Sequence, residues 1–126
     1  MKNDETKRLG QWGEALAANY LYTRGWEIVL HHFAVRGGEI DLLARKGETL
    51  AVVEVKLRSG DWYPAGEAVT PHKRRCLRHA MDAYLMDHPD CFNCNIRFDI
   101  CQISAPAGME TAEPVIDYFE NAFYAP

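Results

Sequence analysis

The chain has 126 residues, 48% of them hydrophobic and 25% charged, with a formal net charge of −4 and a pI near 5.7. That length supports one core and excludes two, so residues 1–126 are read as a single domain with the composition of a soluble globular protein. The acidity excludes a surface that wraps nucleic acid as a whole, and no apolar run approaches the roughly 18 residues needed to cross a bilayer.

The opening segment Met1–Arg8 is polar and lacks a secretory signal pattern, so a cytoplasmic address with no membrane partner is expected. Leu9, Trp12, Gly13, Leu16, Ala17, Tyr20 and Leu21 recur at helical spacing and predict a helix from about Thr6 to Arg24, stopped by Gly25. Glu14 lies beside that apolar stripe, and from the helix alone it reads as a solvated boundary residue. Trp26–Ala34 is β-branched and aromatic and reads as a strand. Its neighbours His31 and His32 point to opposite faces and cannot share one metal unless the strand is bulged, so both are read as edge or core residues. Arg36-Gly37-Gly38 is a turn.

A hairpin follows, with its turn around Lys46-Gly47-Glu48. Residues i and i+2 share a face, so Glu39 pairs with Asp41 and Glu54 with Lys56. An even-numbered turn sets Asp41 opposite Val52 or Glu54 and gathers Glu39, Asp41, Glu54 and Lys56 on one side. Ile40, Leu42, Val53 and Val55 then line the other side, and an odd loop without a bulge breaks the convergence. Arg58–Glu67 is a long Gly- and Pro-containing loop, of the kind that carries function. Its Trp62 and Tyr63 suit base stacking, a hydrophobic anchor or a dimer contact.

Thr70-Pro71 is an N-cap followed by a first-turn proline, and Leu77, Ala80, Met81, Tyr84 and Leu85 continue a helix to about Asp87. Cys91 and Cys94 have half a zinc-knuckle spacing without a second pair, and the plainer reading is a loop with two small core residues. Ile96–Ile103 alternates as a strand with the acid Asp99 among apolar neighbours, and Val115–Phe119 is the last strand. The order α-β-β-β-α-β-β predicts an α/β fold, a central mixed sheet flanked by helices, because strands separated by a helix can pair in parallel.

Two or three carboxylates on one face make a hard oxygen site suited to Mg²⁺ or Mn²⁺. A bound divalent ion acidifies its water and stabilises charge on a phosphoryl oxygen. A lysine two residues from a ligand can orient the attacking water or stabilise the phosphorane, which fits phosphodiester hydrolysis. The same spacing also serves a structural ion-pair cluster.

Asp41 followed by Glu54-Val55-Lys56 resembles the D…(D/E)xK signature of restriction-endonuclease-like nucleases, the PD-(D/E)xK superfamily. With Gln11-Trp12-Gly13-Glu14, Gly37-Gly38-Glu39-Ile40-Asp41-Leu42, Val52–Arg58, Lys73, Phe98-Asp99 and Asn121-Ala122-Phe123, nearly the whole chain resembles the YraN-type family of predicted endonucleases, similar to archaeal Holliday-junction resolvases. The resemblance implies a Mg²⁺- or Mn²⁺-dependent endonuclease acting on DNA, with branched or junction structures as candidate substrates. It implies Asp41, Glu54 and the carbonyl of Val55 as metal ligands, Lys56 as the catalytic lysine and Glu14 as an acid supplied by the first helix. Glu39 takes a supporting or lysine-pairing place, and Lys73 reaches a phosphate.

The basic block His72-Lys73-Arg74-Arg75 with Arg78 is either a solvated helix face or a set of phosphate contacts by Lys73, Arg74 and Arg78, with Arg36 and Arg58 near the site. A resolvase that cuts two strands symmetrically works as a two-fold dimer, so a homodimer is the expected assembly if that resemblance carries function. A non-catalytic nucleic-acid-binding or interaction protein on the same fold is the competing reading. An enzyme of small phosphorylated substrates is a third.

Overall fold

A three-stranded antiparallel meander, a crossover helix and a final antiparallel pair build one five-stranded sheet with strands in chain order. The computed structural model describes residues 4–59 and 69–125, so Trp62 and Tyr63 lie outside the described residues. The elements are α1 (Asp4–Tyr22), β1 (Glu27–Val35), β2 (Gly38–Lys46), β3 (Thr49–Arg58), α2 (Pro71–Met86), β4 (Asn95–Ser104) and β5 (Val115–Phe119). The expected α-β-β-β-α-β-β order and mixed, helix-flanked sheet are both found, with element ends moved by a residue or two. No helix among the described residues is long and apolar enough to cross a membrane.

Local chemistry explains the turns. Lys46 pairs with Thr49, so the β2–β3 connection has two residues, an even number. Gly47 opens it at φ 60°, the left-handed conformation that two-residue hairpins matching the strand twist require. The Thr70 hydroxyl accepts from the Lys73 amide and caps α2, with Pro71 in the first turn. Because α2 carries the chain back across the sheet, β4 pairs with β3 in parallel along its whole length, Thr49–Arg58 against Asn95–Ser104.

Each face of the sheet buries its own cluster. Ala17, Ala18 and Leu21 of α1 pack on Leu42, Ala44, Ala51, Val53, Cys101 and Ile103. Leu77, Ala80, Met81 and Tyr84 of α2 pack on Ile40, Leu43, Leu50, Val52 and Phe98, with Cys91 and Cys94 also in that core. The α2 backbone comes so close to β2 that a Cβ on Gly38 would strike the Cys76 carbonyl oxygen.

Strict alternation fails at two places, one of them the register shift between Ile28 and Leu30 of β1, which leaves Val29 and Leu30 both against the α2 cluster. At the other, Leu42 and Val53 share one side as expected, the one that faces α1, but Ile40 joins the α2 cluster. The correction lies in the backbone: β1 makes the same change of face, with Leu30 opposite Leu43 and Phe33 opposite Ile40, three residues apart on both strands. His32 sits inside that step at φ 51°, a left-handed conformation that costs a non-glycine residue about 1–3 kcal/mol. The two strands therefore turn over together between Leu42 and Ile40.

Asp99 is fully buried and fully engaged. Arg97 Nε and an Arg97 terminal nitrogen donate to its two oxygens at 3.0 and 2.9 Å, Tyr118 Oη donates at 2.6 Å, and the Asn121 amide donates at 3.0 Å. It ties β4 to β5 and to the chain that follows. Asp99→Ala strands Arg97 and the Tyr118 hydroxyl and is expected to cost about 3–5 kcal/mol, against a change within about 0.5 kcal/mol for exposed Asp117→Ala. Urea unfolding of the two variants measures the difference.

Candidate active site

The β2–β3 ladder ends at the pair Leu42–Val53, while β3 stays paired with β4 to its last residue. Beyond that point the Val55 N–H has no β2 carbonyl to bond, and the Asp41 carboxylate accepts from it instead at 3.0 Å. Asp41 thus closes the fork where the two strands part. A cleft of about 320 Å³ opens there, lined by Glu14 and Gly13 of α1, Glu39 and Asp41 of β2, Glu54 and Lys56 of β3, and Lys73 of α2. Both helices reach it because it lies in a gap in the sheet and not on one face.

Glu39, Asp41, Glu54 and Lys56 all line this cleft, but around a gap in the sheet that Val55 also lines, and not on the single face expected. Glu14 joins them, its carboxylate within 4.8 Å of a donor atom of Asp41. Lys73 also arrives, its Nζ 3.5 Å from Glu54 Oε1, with Lys56 Nζ at 4.0 Å from the same oxygen. Val55 enters through its amide, bonded to Asp41.

The remaining basic residues are placed differently. The Arg74 guanidinium donates to the Val69 carbonyl at 2.7 Å and lies over the Phe123 ring, and Arg78 donates to Asp82 at 3.0 Å. Arg36 is exposed in the β1–β2 turn, its carbonyl 2.9 Å from His79 Nε2, and Arg58 ends β3 two residues past Lys56.

One residue of the site escaped sequence reasoning. His32 offers a ring nitrogen within 4.8 Å of donor atoms of both Glu14 and Asp41. The expected edge place holds, since β1 is an edge strand and His32 is exposed on it, but its nearness to Glu14 and Asp41, at a left-handed backbone, was not foreseen. The available signal was the three-residue gap between the apolar Leu30 and Phe33, which breaks the period of two at the histidine pair.

Burial dominates the electrostatics. Glu54 is only 5% exposed. Desolvation, then the charge of Asp41, push its carboxyl up to about 7 against the opposing pull of Lys73 and Lys56. Asp41 is raised too, first by burial, although the Val55 amide and Lys73 favour its charged form. Burial works against the Lys73 ammonium, but Glu54 and Asp41 outweigh it and hold the amine above its usual range. Glu54 Oε2 is buried and has no hydrogen-bond partner among the described residues. An unsatisfied buried carboxylate oxygen costs several kcal/mol or binds its proton.

Fold and site together define an α/β protein that keeps a desolvated acid–lysine cleft where two strands separate. The chain belongs to the uncharacterised protein family UPF0102, whose profile matches residues 13–103 and so spans Glu14, Asp41, Glu54, Lys56 and Lys73. It is 36% identical to a UPF0102 protein of Synechococcus sp. (strain JA-3-3Ab) over 97% of this chain and 95% of that one. It is 39% identical to one of Geobacter metallireducens (93% and 96%) and 43% identical to one of Dechloromonas aromatica (77% and 79%).

The raised carboxyls fix a pH dependence. Glu54 holds its proton more tightly folded than unfolded, so its contribution to stability is complete below pH 4.5 and is lost as pH rises to about 7. Asp41 acts in the same direction. In chelator-treated protein, stability is expected to fall across that window by up to about 3 kcal/mol through Glu54. Glu54→Gln is expected to flatten the decline. Urea titrations from pH 5 to 8 test this, and equal slopes for the two proteins would refute it.

Proposed function

We propose that this chain is a metal-dependent nuclease that hydrolyses phosphodiester bonds of DNA, with branched or junction-structured DNA as its candidate substrate. One observation carries the reading. A buried glutamate with a bare oxygen stands beside a second carboxylate and between two lysine ammonium groups, in an open cleft. A binding module that contacts phosphate has no use for desolvated acids that repel it.

The donor set fits a divalent cation. Glu54 Oε2 lacks a partner, the carboxyls bind protons where a dication would serve, and all the acidic donors are hard oxygens. Asp41 and Glu54 would hold Mg²⁺ or Mn²⁺, with the Val55 carbonyl as a further ligand, and the ion when bound would acidify water and neutralise charge on a phosphoryl oxygen. The chain's own groups do the rest. The Val55 amide fixes one oxygen of Asp41. Lys56, held near Glu54, stands where an attacking water or a phosphoryl oxygen needs an ammonium donor. Lys73 offers its charge to a phosphate from the α2 side. Glu14 adds an acid from α1.

The resemblance to restriction-endonuclease-like enzymes of the YraN type, similar to archaeal Holliday-junction resolvases, agrees with this arrangement. The antiparallel β1–β2–β3 unit carries Asp41, Glu54 and Lys56 in its last two strands, and α1 supplies Glu14. The assembly expected of a resolvase is a homodimer, and a cytoplasmic setting supplies its substrate.

The test is cleavage of branched, flapped and linear DNA in Mg²⁺ or Mn²⁺. Asp41→Asn and Lys56→Ala are each expected to slow cutting by at least about 10²-fold while leaving the far-ultraviolet circular dichroism unchanged. A wild type that cuts none of the three, or variants that cut as fast as wild type, would refute the nuclease reading.

A further inference from the structure

Glu14 of α1, His32 of β1 and Asp41 of β2 bring one donor atom each within 4.8 Å of one another. Ligands about 2.0–2.2 Å from a common ion stand roughly 3–4 Å apart, so side-chain rotation alone closes the set. The three come from separate elements, and His32, more than half exposed, sits at the shared turnover of β1 and β2 beside Glu14 at the edge of the cleft. A second, independent observation points to a ligand here. Glu54, its side chain 6% exposed and its Oε2 without a partner, lines the same cleft as Glu14 and Asp41. Glu39 Oε2 lies 3.9 Å from His32 Nε2, an ion-pair separation too long for a hydrogen bond.

We propose that Glu14, His32 and Asp41 form a cation position with an imidazole ligand, which takes a first-row transition ion such as Mn²⁺, Co²⁺ or Zn²⁺ in preference to Mg²⁺. The chemistry follows from the donor types. Mg²⁺ takes oxygen ligands and keeps its waters, whereas imidazole suits later divalent ions. Asp41 is shared with Glu54, so this position lies beside the all-oxygen one and is distinguished from it by the nitrogen. The proposal rests on reading the cleft as a cation site, and it is independent of what the cleft cleaves.

The experiment uses Mn²⁺ as the probe on the full chain. Pulsed electron paramagnetic resonance of the Mn²⁺-loaded wild type is expected to show ¹⁴N modulation from an imidazole. His32→Asn keeps the left-handed backbone, which asparagine tolerates, and is expected to lose the modulation and bind Mn²⁺ about 10–100-fold more weakly. His31→Asn, one residue away, is expected to retain both. Mg²⁺ affinity is expected to change less than threefold in His32→Asn. Paramagnetic shifts of the histidine ring protons in Co²⁺-loaded wild type identify the ligand without any variant. A Mn²⁺-loaded wild type without nitrogen modulation, modulation surviving in His32→Asn, shifts assigned to another histidine, or no Mn²⁺ binding at all would overturn the proposal. Nitrogen modulation in a protein that cuts no DNA sinks the nuclease reading and leaves this one standing. Cleavage in Mg²⁺ by a protein without the modulation does the reverse.

Discussion

A single hydrogen bond organises the molecule, the one from the Val55 amide to the Asp41 carboxylate. A buried N–H left without an acceptor costs about 1–3 kcal/mol, and a sheet that forks creates such groups at the fork. Here a side chain stands in for the missing strand. β3 can then follow β4 while β2 follows β1, and the opening between them admits α1 from one face and α2 from the other. Residues as distant in sequence as Glu14 and Lys73 meet because the backbone ladder has been given up locally and repaired by one aspartate.

Two buried acids show how differently the same cost can be met. Asp99 is surrounded by a bidentate arginine, a phenol and an amide, so every oxygen is engaged and the carboxylate serves as a joint between strands. Glu54 has two ammonium groups at 3.5 and 4.0 Å from one oxygen and, among the described residues, no hydrogen-bond partner at the other. Desolvation prevails there and its carboxyl is lifted to about 7. Strands and helices are otherwise built from ordinary apolar faces, and the unmet demand is concentrated where the sheet divides.

Much of this was legible in the chain. Helix and strand periods gave the element order, Thr70-Pro71 marked the start of α2, and an even turn at Gly47-Glu48 put Asp41 and Glu54 together. The period of two carried the argument wherever the strands are regular. It failed from Ile40 to Leu42 and at His32, because a turnover shared by two strands depends on how β1 and β2 twist against both helices, and neither strand's sequence contains that information alone. Asp99 stood out in the sequence only as an acid among apolar neighbours, and its role was not legible because its partners Arg97, Tyr118 and Asn121 are assembled by the β4–β5 pairing. The basic block was legible as charge but not as geometry. Lys73 reaches the cleft, while Arg74 and Arg78 bond within the protein.

The lining of the cleft has a thermodynamic consequence. Four carboxylates, from Glu14, Glu39, Asp41 and Glu54, face two ammonium groups, from Lys56 and Lys73. Fully ionised, that balance is two negative charges, which repel any phosphate that approaches, and one dication brings it to zero. In the proposed function, occupancy by a cation and occupancy by a polyanion would therefore be coupled, and reciprocally: each ligand would raise the affinity of the other by the same factor. Under the proposed function, in a protein whose net charge is −4, this coupling would make affinity for an anionic polymer conditional on the local cation supply, with the ion as an effector of recognition.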